Sequence, residues 1–400
     1  MKKAITILLA MLAIVSVKGN DGAFYSQGNQ LVPITETTIR VQKEVLTITR
    51  VEKGEGLHSF RVDVYYEFFN PGEGKDLLVG FEAVNYEEGG DTHPYIHDFK
   101  VVMNGKDLHH EVTRVFYPLD EDGNVRWGET VGYYQNGRFV EPTKEMWRGI
   151  QDPSSPYYSS WDAVPYYYVY HFNAHFNKGL NIIRHTYDFN GSDIVGEVYL
   201  FDYILTAANR WANHGIDDFT LEINMGDRES FSILPSFFNS ADEWTFNGKG
   251  RASKREYMLM MCEDCPTFHV QSGSVVFHKK NFHPEGELRI NRDWFMMYDH
   301  LDNDMRLYNP ESFIEGLKDQ YYRLSLGWNR EEEIEKTNVT DEQQRILKNL
   351  PFAYRGYVFS NQRLQRFFES TNWYVPNPDY VPDMTIMNDS EKEWVQFWTK

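Results

Sequence analysis

From Thr37 onward the apolar positions fall into short runs of period two. TTIRVQKEVLTITRV and SFRVDVYYEFF flank the polar segment KGEGLH, and Phe60, Val62, Val64 and Tyr66 share one face of the second run. Asn70 to Gly74 (NPGEG) supplies turn chemistry, and DLLVGFEAV follows as an apolar strand. In HDFKVVMNGKDL, Phe99, Val101 and Met103 alternate ahead of Asn104-Gly105, the two-residue hairpin signal. Strand patterns return at GLNIIRHTYDF and GEVYLFDYIL, followed by RWANHGIDDFTLEINM, SFSILPSFF, YMLMMCEDCPTFHV and SGSVVFHKKNF, so β character extends to about Ile290.

Two stretches break this rhythm. Residues 121–170, with DEDGN and PSSPYYSSWDAVP, show few regular periods and read as a long insertion. After Asn303 the signals become helical. Asn309-Pro310 is a helix start, and DEQQRILKNL, NQRLQRFFES and SEKEWVQFW each follow capping residues. The expected fold class is therefore α+β: an antiparallel β-rich body at 20–302 with room for two sub-domains, a helical linker at 303–340, and a small helical C-terminal module at 341–400.

Ahead of the body, Lys2 and Lys3 precede twelve apolar residues, Ala4 to Val15, and Val17 and Gly19 put small residues where a leader peptidase needs them. The run is shorter than the ~20 residues of a membrane helix. Residues 1–19 are thus expected to be a signal peptide cleaved after Gly19. The mature chain, without a membrane span, would be exported to the periplasm or beyond. Neither cysteine lies near that site to accept a lipid.

The formal charge of −19, more negative still without Lys2, Lys3 and Lys18, argues against nucleic acid, because a phosphate backbone is bound by clustered Lys and Arg. Aromatic residues make up 16% of the chain, which fits pleated, half-buried surfaces before it implies any ligand.

The C-terminal run LKNLPFAYRGYVFSNQRLQRFFESTNWYVPNPDY through EKEW resembles the YARHG domain, an extracellular bacterial module of undetermined function. Lys348-Asn349 stands at that family's Arg-Asn, and Phe352, Ala353 and Gly356 stand at its Tyr, Ala and Gly. Phe367, Phe368, Trp373 and Tyr374 fit its later Phe and Trp-Tyr pattern, with Glu391 and Glu393 near its closing acidic helix. Where the family name spells Arg-His, this chain has Tyr354-Arg355. A module of this size needs a compact core, and packing is the expected role of Phe359, Phe367, Trp373 and Tyr374. Asn20-Asp21, Tyr66 to Asn70, HTYDF, YILTAANRWANHGIDDFTLEI and NFHPEGELRI also resemble an uncharacterised exported bacterial family. That likeness implies a β-rich fold and no catalytic residues.

Candidate chemistry is sparse. Cys262 and Cys265, the two cysteines, have CxxC spacing. In an oxidising compartment a structural disulfide leads, with redox exchange or half a metal site as alternatives. No second CxxC or zinc-type His pair follows. His93/His97 and His171/His175 have the i, i+4 spacing of helical metal ligands, but Pro94 and the Tyr-rich strand pattern argue against helix. His109-His110-Glu111 begins like a zincin motif and has Arg114 where its second His belongs. Asp120 to Asn124 lacks calcium-loop spacing. No metal, cofactor or catalytic residue is assigned. The rings of PYYSSWDAVPYYYVY, including Tyr157, Tyr158, Trp161, Tyr166 and Tyr168, serve either as a contact face or, with the loop folded back, as core. These features favour non-enzymatic binding of an envelope glycan or protein partner. The runner-up is a hydrolase of envelope polymers using a carboxylate pair, for which no sequence spacing is diagnostic.

Overall fold

A computed structural model describes residues 21–27, 30–53, 57–84, 96–116, 133–135, 138–140, 166–190, 197–254, 265–293 and 340–399. In chain order the strands are β1 (Asp21–Gln27), β2 (Gln30–Ile34), β3 (Arg40–Lys53), β4 (Leu57–Asn70), β5 (Lys75–Val84), β6 (Ile96–Met103), β7 (Lys106–Leu108), β8 (Glu111–Phe116), β9 (Tyr133–Gln135), β10 (Arg138–Val140), β11 (Tyr166–Phe176), β12 (Gly179–Asn190), β13 (Glu197–Tyr203), β14 (Ile216–Asn224), β15 (Glu229–Ile233), β16 (Trp244–Lys254), β17 (Pro266–Phe282) and β18 (Leu288–Asp293). The C-terminal helices are α1 (Asp341–Ala353), α2 (Gln362–Glu369) and α3 (Asp389–Phe397). The architecture is α+β.

The large sheet runs β13-β18-β15-β17-β14-β3-β4-β12-β6-β7, with β16 on the other side of β17. A smaller sheet runs β2-β1-β5-β11-β8. The register is set by the period-two faces: Leu46 opposes Val64 and Ile48 opposes Val62, and all four are buried with Phe60, Tyr66 and Phe68. Asn104 and Gly105 both take positive φ, closing the β6–β7 turn as the Asn-Gly signal requires.

Aromatic rings join the two sheets. Phe81 of β5 packs 5.6 Å from Phe99 and 5.1 Å from Tyr187 of the large sheet, and Phe176 of β11 packs 5.5 Å from Phe68. Trp211, in the segment before β14, lies 4.7 Å from Phe68. At the far end Phe60 meets Tyr199 and Phe201 of β13 at 5.5 and 5.2 Å, so one continuous core runs through the body. Each such buried side chain favours the folded state by about 1.5–3 kcal/mol over exposure, before chain entropy.

Three features differ from the sequence expectation. The body is not wholly antiparallel: β14 pairs in parallel with β3, Ile216 opposite Val41 and Ile223 opposite Ile48. Parallel neighbours need a long crossover, and period two carries no sign of strand direction. Within 121–170, Tyr166–Tyr170 belongs to β11, and β9 and β10 form a hairpin. Consecutive tyrosines hid the alternation there. The end of YMLMMCEDCPTFHV, from Pro266, and SGSVVFHKKNF form one strand, β17, which pairs β15 through residues 267–270 and β14 through 275–282.

The module has its own core. Leu347, Leu350, Phe368, Tyr374, Trp394 and Trp398 are buried together, and Trp394 Nε1 donates to Leu347 O at 2.7 Å, tying α3 to α1. Thr340, Asn361 and Asn388 cap the three helices through their side chains, one residue from where the pattern alone places two of these starts.

Candidate functional site

The motif of the C-terminal module lies where α1 ends. Gly356 has φ +77°; its N–H bonds Ala353 O and the Tyr357 N–H bonds Phe352 O, the paired bonds of a Schellman turn. A Cβ on Gly356 would lie 2.4 Å from Val375 O, so both backbone angle and space call for glycine. Arg355 is buried. Its Nη1 donates to Pro351 O at 2.9 Å, and its two terminal nitrogens reach the Glu391 carboxylate at 2.7 and 2.8 Å. Burial alone would raise the Glu391 carboxyl, but the Arg355 hydrogen bonds and charge hold it below the ordinary carboxylate value.

The remaining motif residues face inward too. Ala353 and Tyr354 are buried, and Trp373 meets Tyr354 edge-on at 4.9 Å. Tyr374 is buried, and its hydroxyl donates to Tyr357 O at 2.7 Å. Packing, rather than a ligand stack, is what Trp373 and Tyr374 do. The outward apolar surface of the module lies elsewhere, on the segment between Asp379 and α3, where Val381 is 76%, Ile386 56% and Met384 36% exposed. Asp379 precedes it and Asp383 lies within it, capping the Met384–Ile386 turn.

In the body, the buried carboxylates Asp202 and Glu229 sit in ion pairs. Asp202 receives Arg289 through both oxygens at 2.7 and 2.8 Å, and Glu229 is held between Arg50, at 2.9 Å, and Arg292. Tyr199 lies beside this cluster, and burial followed by the Glu229 charge pushes its phenol far above the ordinary value. Glu287 accepts from the Leu205 and Thr206 N–H groups at 2.7 and 3.1 Å. Such arrangements fix strands to one another, and each carboxylate here has a structural partner.

Two histidine arrangements stand out. Ser230 Oγ lies 2.8 Å from His269 Nδ1 and Ser253 Oγ lies 2.9 Å from Nε2. The two hydroxyls thus occupy both ring nitrogens of the buried imidazole. Between the sheets, His110 packs on Phe99 at 4.9 Å and Tyr170 at 6.2 Å. Burial, then nearby His109 and His185, lowers its pKa. Burial also lowers that of His171, with Glu111 opposing and His110 adding.

Of the aromatic candidates, Tyr157, Tyr158 and Trp161 lie outside the described residues. Tyr166 and Tyr168 sit in β11, opposite Phe116 and Arg114 of β8. Cys262 and His93 also lie outside the described residues, whereas Cys265 is buried and disulfide-bonded. His171 and His175 are on a strand, where i and i+4 are about 13 Å apart, too far to share an ion. His175 instead meets Asp76 at 2.7 Å. No group of three or more His, Cys, Asp or Glu side chains among the described residues is placed to hold a metal ion. The sequence reading missed the Arg355–Glu391 pair. An Arg one residue before the motif Gly, with Glu391 in the first turn of the last helix, was the available signal.

Residues 323–400 match the YARHG domain, so the chain carries this module at its C-terminal end. No curated protein matches the chain. Among solved structures, one from Legionella pneumophila, provisionally described as a nutrient binding protein, is 14% identical with a TM-score of 0.47, over 96% of this chain and 99% of that one. An M1 zinc metallopeptidase from Deinococcus radiodurans is 11% identical with a TM-score of 0.24, over 65% of this chain and 43% of the peptidase. Neither likeness reaches the level that establishes a shared fold. No helix among the described residues is long and apolar enough to cross a membrane.

Proposed function

We propose that this is an exported protein of the bacterial cell envelope that acts by binding, with a protein partner favoured over a glycan. The observation that carries this reading is the exposed apolar segment of the YARHG module. Val381 and, on a short capped turn, Met384 and Ile386 are exposed, while Ala353, Tyr354, Arg355, Trp373 and Tyr374 are buried. Exposed apolar residues clustered on a small module with a polar rim mark interaction surfaces. The basic start and short apolar run of residues 1–19 support export.

The test is a Val381→Asp/Ile386→Asp double variant expressed from its own leader. It should leave the thermal melt unchanged and abolish co-sedimentation and in-cell cross-linking with the envelope fraction. Retained association would refute this surface, and an uncleaved, cytoplasmic chain would refute export. Co-sedimentation with protein-free purified sacculi would transfer the assignment to glycan.

A further inference from the structure

The β body carries a local irregularity in the β16–β17 ladder. Opposite Lys249, the β16–β17 register shifts and leaves Gln271 outside that ladder. Gln271 O instead accepts from Arg228 N at 3.3 Å, and Gly273 N donates to the Asp227 carboxylate at 3.2 Å, so the β14–β15 turn is tied to the bulge. The crossing is close: a Cβ on Gly248 would lie 2.2 Å from Ser272 O and one on Gly273 2.0 Å from Asn247 O. Bulges re-aim side chains. This one falls between Lys249 and Arg251 of β16, with Arg228 of the β14–β15 turn held to it through its backbone, in a chain of strong net negative charge.

The module presents the complementary groups. Lys249 Nζ contacts Asn377 Oδ1 and lies 2.9 Å from the Asp379 carboxylate, and Arg251 Nη1 donates to Thr371 O at 3.2 Å. Thr371 follows the C-terminal end of α2, where carbonyls are exposed and a cation is favoured. The turn holding Asn377 and Asp379 is shaped from inside the module: Asn377 N donates to Gly356 O at 2.7 Å, and Tyr380 N to Asn377 O at 3.0 Å. The motif glycine thus sets the position of the turn that meets the body. Arg228 adds to the positive field that acts on Glu391.

We infer that the YARHG module is a docking module: its Asn377–Asp379 turn and the end of α2 form a binding surface for a basic, glycine-bulged β-strand, occupied in this chain by Lys249 and Arg251 of the body. The surface is distinct from the apolar segment at 381–386, so failure of one assignment leaves the other standing. Both cations are partly solvated and the contacts are polar, so the clasp is reversible and weakened by salt.

The experiment uses the full chain. Lys249→Glu/Arg251→Glu should increase the radius of gyration in small-angle scattering and speed amide exchange at residues 371–379 by roughly tenfold, equivalent to about 1.4 kcal/mol of closure. Wild-type protein at 1 M NaCl should move the same way. Asp379→Lys placed in a Lys249→Glu background should restore wild-type exchange, which a merely destabilised module would not do. Lys249→Met, which keeps the stem and removes the charge, guards against misfolding of the reversal and should loosen the clasp with both melting transitions unchanged. Unchanged scattering and exchange in the double reversal, or no rescue by the charge swap, would overturn the assignment.

Discussion

Trp373→Ala is the sharpest test of whether the motif aromatics hold the module together. The ring is 4% exposed and is enclosed by Tyr354 at 4.9 Å, Phe368 at 6.1 Å and Tyr374 at 6.4 Å. Truncating a buried Trp removes its transfer free energy and leaves a cavity, together about 3–5 kcal/mol. A module spanning 340–399 has a stability of only ~3–9 kcal/mol at typical per-residue values. The loss is therefore comparable with the whole, and the module transition should fall by at least ~12 °C or vanish. The β body, whose core is a separate cluster, should melt as before. Calorimetry of the full-length chain, with circular dichroism at strand and helix wavelengths, separates the two events. Trp373→Phe keeps most of the volume and should lie between. An unchanged module transition in Trp373→Ala would refute the packing assignment.

Arg355→Met and Glu391→Leu should each destabilise the module by about 3–5 kcal/mol, because each strands a buried charge, while the double variant should cost clearly less than their sum; denaturant titration of all four proteins gives the coupling. Acid should destabilise the β body. His110 and His171 have folded pKa values below the ordinary imidazole value of about 6.5, so the unfolded chain binds more protons. Stability is full above that value and declines as pH falls toward the folded ones, and His110→Gln should flatten the decline in melts between pH 7 and 5. Cys262 and Cys265 should be resistant to alkylation in native protein without reductant and reactive after it, as read by mass spectrometry; two freely labelled thiols would restore the metal and redox readings.

Strand identity was legible where one face of a strand is buried and the other wet. Phe60 to Tyr66 and Phe99 to Met103 show this, because burial writes period two directly into the sequence. It was not legible at Tyr166–Tyr170, where Val169 and Tyr170 are both buried and tyrosine occupies both faces of the pattern. The β3–β14 pairing was equally hidden, since a parallel neighbour far along the chain leaves no local trace. For the module, the aromatic positions predicted a core and the structure places them in one. The ion pair beneath Gly356 went unread because Arg355 and Glu391 meet through the tertiary fold rather than a fixed spacing.

That hidden pair bears on what the family resemblance can carry. The chain departs from the family name at Tyr354-Arg355, and in the structure both side chains are interior: one packs on Trp373, the other neutralises Glu391 at the start of α3. A position whose demand is to close α1 against α3 tolerates a change of chemistry if the partner fits, whereas a position that recognises a ligand does not. Glu391 is also the N3 residue of the α3 capping box, accepting from Asn388 N at 3.0 Å, so one carboxylate both starts the last helix and anchors the end of the first. The motif therefore describes how the module closes. On the two proposals above, recognition would fall to the Asn377–Asp379 turn and the apolar segment that follows it rather than to these closing residues.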